Sequence, residues 1–363
     1  MKKPKFYNLN KILETGAQYN IIIGERSNGK TYAVLKYGLE NYVKTKKQLA
    51  IVRRWQDDFT GKRGQTMFDA LVSNGEIVKL TKGEWTNIHY YASKWYLCRY
   101  ENEGKKQVRI VDDTPFAYGF AITSMEHDKS TSYPNVTTVC FDEFLTRTAY
   151  VPDEFVLFMN VLSTIIRHRT DVKVFMLGNT VNKYCPYFTE MGLKHVKDMK
   201  QGSIDLYQYG DSKLKVAVEY CKPNTQGKES DLYFAFDNPK LNMITGGSWE
   251  LDIYPHCPVK YQPKDVLFTY FICFNGDILQ CEIVRHMQMY FTFIHRKTTP
   301  LKHTDTDLIY STEYDARPNF ARKITKPTTP LQKRVCESFI KDKVFYSDNE
   351  VGEIVRNYLI WCR

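Results

Sequence analysis

The apolar positions in the first half of the chain alternate between two periods. Asn20-Ile21-Ile22-Ile23 is a short β-branched run closed by Gly24, the pattern of a strand buried on both faces. From Lys30 the spacing turns helical, with Leu35, Leu39, Tyr42 and Val43 on one face. Lys44, Lys46 and Lys47 follow at its end, where cations suit the helix dipole. Gln48 to Val52 predicts a second strand, running into Arg53 and Arg54. Between Gly61 and Asp113 a helix-like segment precedes several short strands, and Tyr90, Tyr91, Trp95, Tyr96 and Tyr100 give that stretch a β bias. Thr137 to Phe141 predicts another buried strand. Pro152, Asp153 and Glu154 open a helix whose stripe is Phe155, Phe158, Met159, Leu162, Ile165 and Ile166. Val172 to Leu177 is a further strand, ending at Gly178-Asn179-Thr180. Strands and helices alternating in this way predict a parallel α/β sheet covered on both faces.

The pattern changes after residue 222. Pro223-Asn224-Thr225-Gln226-Gly227 and Gly246-Gly247 bracket a polar, turn-rich linker. Val266 to Phe274, Asn275-Gly276 and Asp277 to Val284 then read as a hairpin with a tight turn, and Met287 to Ile294 as a third strand. Two helical segments finish the chain, the last with Val351, Ile354, Val355, Tyr358 and Leu359 on one face. The expected organisation is a domain over residues 1–222, a linker over 223–247 and a smaller β-then-α domain over 248–363. A length of 363 residues accommodates that division and a full core.

Composition narrows the class. Lys+Arg less Asp+Glu is 51 − 41, a net charge of +10, which invites a polyanionic partner without naming one. Nine cysteines without a CxxC pair support neither a disulfide framework nor a zinc site, and point to a reducing compartment such as a cytoplasm. No apolar run reaches membrane-spanning length, and the basic Met1–Lys5 start lacks the apolar segment of a signal peptide. No membrane is expected among the partners.

The chemistry concentrates in a few places. Gly24-Glu25-Arg26-Ser27-Asn28-Gly29-Lys30-Thr31 satisfies GxxxxGK[ST] between a predicted strand and a predicted helix. Its glycines let backbone N–H groups close on phosphates; Lys30 suits the β- and γ-phosphates of ATP, and the Thr31 hydroxyl suits Mg²⁺. Phe141-Asp142-Glu143 ends a buried strand with a carboxylate for the metal and a second to activate water as a base. Strands near Ile51 and Ala121 precede this pair, leaving room for an extra strand between the loop strand and the acidic strand. That layout is RecA-like, of the additional-strand, catalytic-glutamate type. Asn182-Lys183-Tyr184-Cys185 ends in Cys where a guanine-reading motif needs Asp. Asn179 is placed either as a γ-phosphate sensor or as a turn residue. Arg167 and Arg169 close a helix, where they either complement its dipole or reach a neighbouring subunit's nucleotide as arginine fingers. A single phosphate loop makes the second role the economical one for Arg167.

These residues carry a resemblance. Phe6-Tyr7-Asn8, the Gly24–Thr31 loop, Ile51-Val52-Arg53-Arg54, Ser132-Tyr133-Pro134-Asn135-Val136 and Phe141-Asp142-Glu143-Phe144 occur in the order of the DNA encapsidation proteins of small podoviruses of the Salasmaviridae type. The chain resembles these genome-packaging ATPases closely over about its first two hundred residues and faintly beyond. The resemblance implies a homo-oligomeric, pentameric ring at the portal of a procapsid, threading double-stranded viral DNA. It implies work in the host cytoplasm, transient attachment to the portal vertex and absence from the mature virion.

For the site, the resemblance implies ATP and Mg²⁺ at Lys30 and Thr31, metal binding by Asp142 and water activation by Glu143. It also implies that Lys129 reaches a neighbour's nucleotide, that Arg167 is the finger, and that Tyr7 either stacks on adenine or simply packs. The last domain resembles an RNase H-like nuclease fold that has lost its site. Val266 to Phe274 holds no carboxylate, Asp277 belongs to the turn, and Glu282 stands by itself, so a binding domain is expected. Some relatives use a structural packaging RNA. Lys105-Lys106, Lys194, Lys197, Lys200, Arg322-Lys323 and Lys333-Arg334 spread basic charge over both domains, as phosphate-gripping, sequence-independent binding requires. The competing expectations are a terminase large subunit that also cuts its genome, and a non-catalytic nucleic-acid adaptor with a relic phosphate loop.

Overall fold

Ile21 and Ile23 pack on one side of a sheet while Ile22 packs on the other, which is why this short run carries no polar alternation. The structure is a computed structural model that describes residues 6–104, 106–127, 131–222, 249 and 251–362. The chain divides into two compact units, Met1–Trp249 and Glu250–Arg363. Trp249 sits with the first unit, its ring 6.5 Å from Phe188 and 6.1 Å from Tyr220. The expected linker 223–247 lies outside the described residues.

The first unit is built on a ten-stranded sheet. Its strands are β1 (Tyr19–Gly24), β2 (Gln48–Arg53), β3 (Asn87–Tyr91), β4 (Lys94–Glu103), β5 (Lys106–Val111), β6 (Ala117–Ala121), β7 (Val136–Asp142), β8 (Lys173–Asn179), β9 (Ile204–Gln208) and β10 (Lys215–Tyr220). The spatial order is β3-β4-β6-β2-β7-β8-β1-β10-β9, with β5 paired to β4. β6, β2, β7, β8, β1 and β10 are mutually parallel. The edges are not: β3, β4 and β5 form antiparallel pairs, as do β10 and β9, so the expected parallel arrangement holds for the centre of the sheet and stops at its edges. Short chain segments at both edges turn back by hairpins where no helix is available to make a parallel crossover.

Helix α1 (Lys30–Thr45) buries Val34, Leu35, Leu39 and Tyr42 against one face. Gly38 lets it come close, because a Cβ there would lie 2.9 Å from Leu49 Cδ2. Helix α2 (Glu154–Ile166) buries Phe158, Val161, Leu162 and Ile165 against the other. Each such side chain contributes roughly 1.5–3 kcal/mol on leaving water, so both faces are firmly covered. An additional strand does separate β1 from the acidic strand β7, but it is β8, which follows β7 in the chain. The strands near Ile51 and Ala121, β2 and β6, lie on the far side of β7. The crossover through α2 returns to the neighbouring position, so chain order and spatial order part company there.

The second unit has a six-stranded sheet ordered β15-β14-β11-β12-β13-β16. Its strands are β11 (Val266–Phe274), β12 (Asp277–His286), β13 (Met289–Arg296), β14 (Ile309–Ser311), β15 (Phe320–Ala321) and β16 (Val344–Tyr346). Asn275 and Gly276 turn the β11–β12 hairpin with φ of +52° and +86°, the mirrored turn that matches strand twist. Asp277 is the first residue of β12 rather than part of the turn, and it pairs with Arg296. Met287, with φ of +53°, belongs to the next turn, so the third strand starts at Met289. α3 (Pro330–Ile340) opens with a capping box between Thr329 and Gln332, and α4 (Asn349–Trp361) with Asp348 accepting from Val351 N–H. No helix among the described residues is long and apolar enough to cross a membrane.

Candidate active site

All the polar groups singled out around the loop converge at the carboxyl ends of β1, β8, β7 and β2, the edge where parallel sheets present ligand sites. Ser27 and Gly29 take left-handed conformations, φ +59° and +91°, which curl Gly24–Thr31 before α1 begins. Gly24 admits no side chain, since a Cβ would meet Cys221 Cβ at 2.9 Å and Asn28 Nδ2 at 3.1 Å. Cys221, which the sequence did not single out, is a buried wall of the loop, and burial pushes its thiol up to about 12.

Lys30 is buried inside this curl. Its Nζ donates to Glu25 O at 2.7 Å, Gly24 O at 3.3 Å, Asn28 Oδ1 at 3.2 Å and Asn179 Oδ1 at 3.2 Å. Loss of water around the ammonium lowers it to about 8 despite these acceptors and the nearby charges of Asp142 and Glu25. Asn179, at the tip of the inserted strand β8, thus touches the loop lysine directly. Thr31 Oγ1 donates to Asp142 Oδ1 at 2.9 Å, bringing together the two oxygens expected to hold a metal.

Two arginines organise the acidic pair. Arg53 donates from Nη2 to Asp142 Oδ2 at 2.6 Å and from Nη1 to Glu143 Oε2 at 2.7 Å. Glu143 itself has φ of +61°, a conformation that non-glycine residues adopt rarely and that clusters at working sites. Arg54 braces the peptide that follows: its Nη2 reaches Phe144 O at 2.9 Å and its Nη1 reaches Glu143 O at 3.4 Å. Glu154, at the start of α2, grips Arg54 with both oxygens at 2.8 Å. The sequence signal for this pair was visible, two arginines closing a buried strand, but their partners lie 89 to 100 residues away in the chain.

The resulting cleft of about 410 Å³ is lined by Arg26 to Tyr32, Asp142, Glu143 and Leu177 to Asn179. Hard oxygens at Thr31 and Asp142, a buried ammonium and loop glycines fit a magnesium-bound triphosphate in kind and position.

Arg167 is elsewhere. α2 runs antiparallel to the strands, so its end lies at the opposite edge of the sheet, just before β8 begins. Arg167 is exposed there with φ of +53°, and its Nη2 donates to Thr131 O at 3.2 Å. Arg169 is committed instead, donating to Tyr133, Pro134, Val136 and Ile165 carbonyls at 2.6–3.3 Å. Lys129 lies outside the described residues.

Tyr7 N–H donates to Asn28 O at 3.0 Å and its hydroxyl to Glu219 Oε2 at 2.6 Å, so the ring is held against the sheet. Burial, then the Glu219 charge, raises that phenol. The exposed aromatic of this segment is Phe6, whose Cβ would stand 3.2 Å from a Cβ on Gly29. The described basic clusters remain dispersed: Lys106, Lys194, Lys200, Arg322, Lys333 and Arg334 are exposed, and Lys197 Nζ lies 4.7 Å above the Tyr184 ring. Glu282 is not isolated, since Tyr261, Gln280 and His295 all contact its carboxylate, and His295 foremost holds it down to about 2.

Fold and site together define a P-loop α/β protein with its acidic pair one strand removed from the loop. The model of the Podovirus DNA encapsidation protein (Gp16) family matches residues 1–209, and the chain belongs to that family. DNA packaging is accordingly its function. The DNA packaging protein of Bacillus phage PZA is 24% identical over 313 residues, and that of Bacillus phage phi29 is 23% identical over 310, each alignment covering 84% of both chains. The likeness therefore extends well past the first two hundred residues. Among solved structures, the phi29 genome packaging motor assembly matches with a TM-score of 0.57 at 18% identity, covering 99% of each chain. The Phi-28 gp11 packaging motor matches at 0.51 and 19%, covering 99% of this chain and 98% of its own. These two establish the common fold.

Proposed function

We propose that the chain is the ATP-hydrolysing subunit of a ring that drives double-stranded viral DNA through the portal of a procapsid. The observation that carries the proposal is the single cleft in which Lys30, Thr31, Asp142, Glu143 and Asn179 meet across the inserted strand β8. This arrangement supports a RecA-like ATPase of the additional-strand, catalytic-glutamate type. Lys30 exchanges its protein acceptors for the β- and γ-phosphate oxygens, and Asn179 reads the terminal phosphate through the contact it already makes to Lys30. Glu143 takes the proton of the attacking water, oriented by Arg53 and by the brace on its own peptide. Thr31 and Asp142 would hold Mg²⁺, which when bound neutralises charge on the phosphates.

Arg167 acts on a neighbouring subunit's ATP, because its position at the opposite edge excludes its own cleft; Lys129 is proposed for the same trans role. Phe6 is better placed than Tyr7 to cover a base. The pentameric ring, the portal, a structural RNA adaptor, and action in the host cytoplasm with departure before the virion matures follow the family resemblance. For the second unit we propose an RNase H-like, non-cutting binding domain. The antiparallel β11–β12–β13 meander, extended on β11 by parallel β14 and β15, supports it. No His, Cys, Asp or Glu group among the described residues is arranged to hold a metal there.

The test is ATP turnover against protein concentration, with and without duplex DNA, for the wild type and Glu143→Gln. Turnover per molecule should climb with assembly and be lost in the variant. Undiminished turnover by Glu143→Gln would remove Glu143 from the base role.

A further inference from the structure

The second unit carries two exposed features that its own packing does not use, at opposite ends of its sheet. At one end the turn from β12 to β13 holds Met287, 81% exposed, with Met289 and Tyr290 exposed beside it. Leu267, in the irregular start of β11, is exposed at the same end. So is Ile340 at the close of α3, because Thr292 N–H donates to Lys343 O and ties that helix end to the start of β13. Arg285 lies over the Tyr290 ring at 5.6 Å, and exposed Lys341 and Lys343 extend a basic rim. Of the acids beside them, Glu337 pairs with Lys341 at 3.2 Å, Asp265 pairs with His286 at 3.1 Å, and Asp342 is exposed. An apolar patch with a polar rim marks an interaction site, and methionine, tyrosine and arginine are the residues such sites favour.

At the other end β14 stops at Ser311, alongside Cys273 near the β11–β12 turn, and the loop into β15 begins. Tyr314 on that loop is 94% exposed. Between residues 305 and 317 four carboxylates, Asp305, Asp307, Glu313 and Asp315, accompany one cation, Arg317, which pairs with Asp305 and Asp315. This knob is an aromatic ring set among acids, and the patch is apolar with a basic rim, so the two are complementary. Lying at opposite ends of the strands, they cannot meet within one copy. We propose that the Tyr314 knob of one copy seats on the Met287–Tyr290 patch of the next, joining second units head to tail. A contact between two different surfaces of one chain repeats from copy to copy, and closes into a ring when the rotation allows. The proposal rests on the ring reading, to which it adds a contact separate from the nucleotide cleft.

The test follows assembly of the full chain by sedimentation velocity over a range of concentrations, with Mg²⁺ and a non-hydrolysable ATP analogue. Tyr314→Ala and Arg285→Glu should each weaken assembly by about tenfold. Both should bind the analogue and unfold in urea as the wild type does, because these side chains are exposed. Tyr314→Cys combined with Met287→Cys, treated with a short bismaleimide, should give a ladder of covalent oligomers beyond the dimer that neither substitution gives alone. Unchanged assembly by Tyr314→Ala and Arg285→Glu, or a paired-cysteine chain that links no further than the single variants, overturns the proposal. A wild type that stays monomeric at every concentration would instead refute the ring reading.

Discussion

Glu154 is the perturbation that separates support from chemistry most cleanly. Its side chain is fully buried, and its carboxylate accepts from Arg54 Nε and Nη2 at 2.8 Å, Tyr187 Oη at 2.9 Å and Val151 N–H at 2.9 Å. Glu154→Ala strands the Arg54 guanidinium, a hydroxyl and a backbone donor in the interior. Removing one partner of such a buried pair costs about 3–5 kcal/mol. With a urea slope of about 3 kcal/mol/M for a unit of this size, the midpoint should fall by roughly 1–1.7 M. The assay is urea unfolding followed by circular dichroism. An apolar double variant, Arg54→Met with Glu154→Leu, removes both charges and should recover most of that loss. It cannot restore the hydrogen bonds from Arg54 to Glu143 O and Phe144 O, so it should fold well and hydrolyse ATP poorly. A midpoint within 0.2 M of wild type for Glu154→Ala (about 0.6 kcal/mol at that slope) would refute the energetics. Full turnover by the double variant would refute the brace.

Lys30, lowered to about 8 by burial, loses its charge as pH rises through that value, so ATP affinity should weaken above about pH 8 with uptake of a proton on binding. Calorimetry in buffers of different ionisation enthalpy measures that proton, and a pH-independent affinity from 7 to 9.5 would contradict it. Arg169→Ala should lose about 2 kcal/mol through its carbonyl contacts. Arg167→Ala should change stability by less than about 0.5 kcal/mol yet cut turnover of the assembled ring by about 10³. Equal stabilities with equal turnovers would dissolve that distinction. Gly24→Ala, forced against Cys221, should destabilise the first unit and impair nucleotide binding together, read by thermal unfolding and analogue titration.

What was legible in the sequence was whatever a local pattern encodes. The phosphate loop announces itself because eight consecutive residues must supply the turn, the N–H groups and the lysine. The strand ending in Asp142-Glu143, both covering helices and the Asn275-Gly276 hairpin are local in the same sense. The inserted strand was anticipated, but its identity as β8 depends on a crossover rather than on spacing. Arg53 and Arg54 could be seen at a strand end, yet their roles come from Glu143 and Glu154, brought near only by folding. Tyr7 illustrates the same limit: nothing near it in the chain foretells a hydrogen bond to Glu219.

Helix α2 joins two of these features mechanically. Thirteen residues make a rod about 20 Å long. One end is bolted through Glu154 and Arg54 to the peptide after Glu143, and the other carries Arg167. Under the trans role proposed for Arg167, a load applied there by a neighbouring subunit would be borne by the same strut that sets the pose of Glu143. The helix would then be a lever whose two ends serve different active sites.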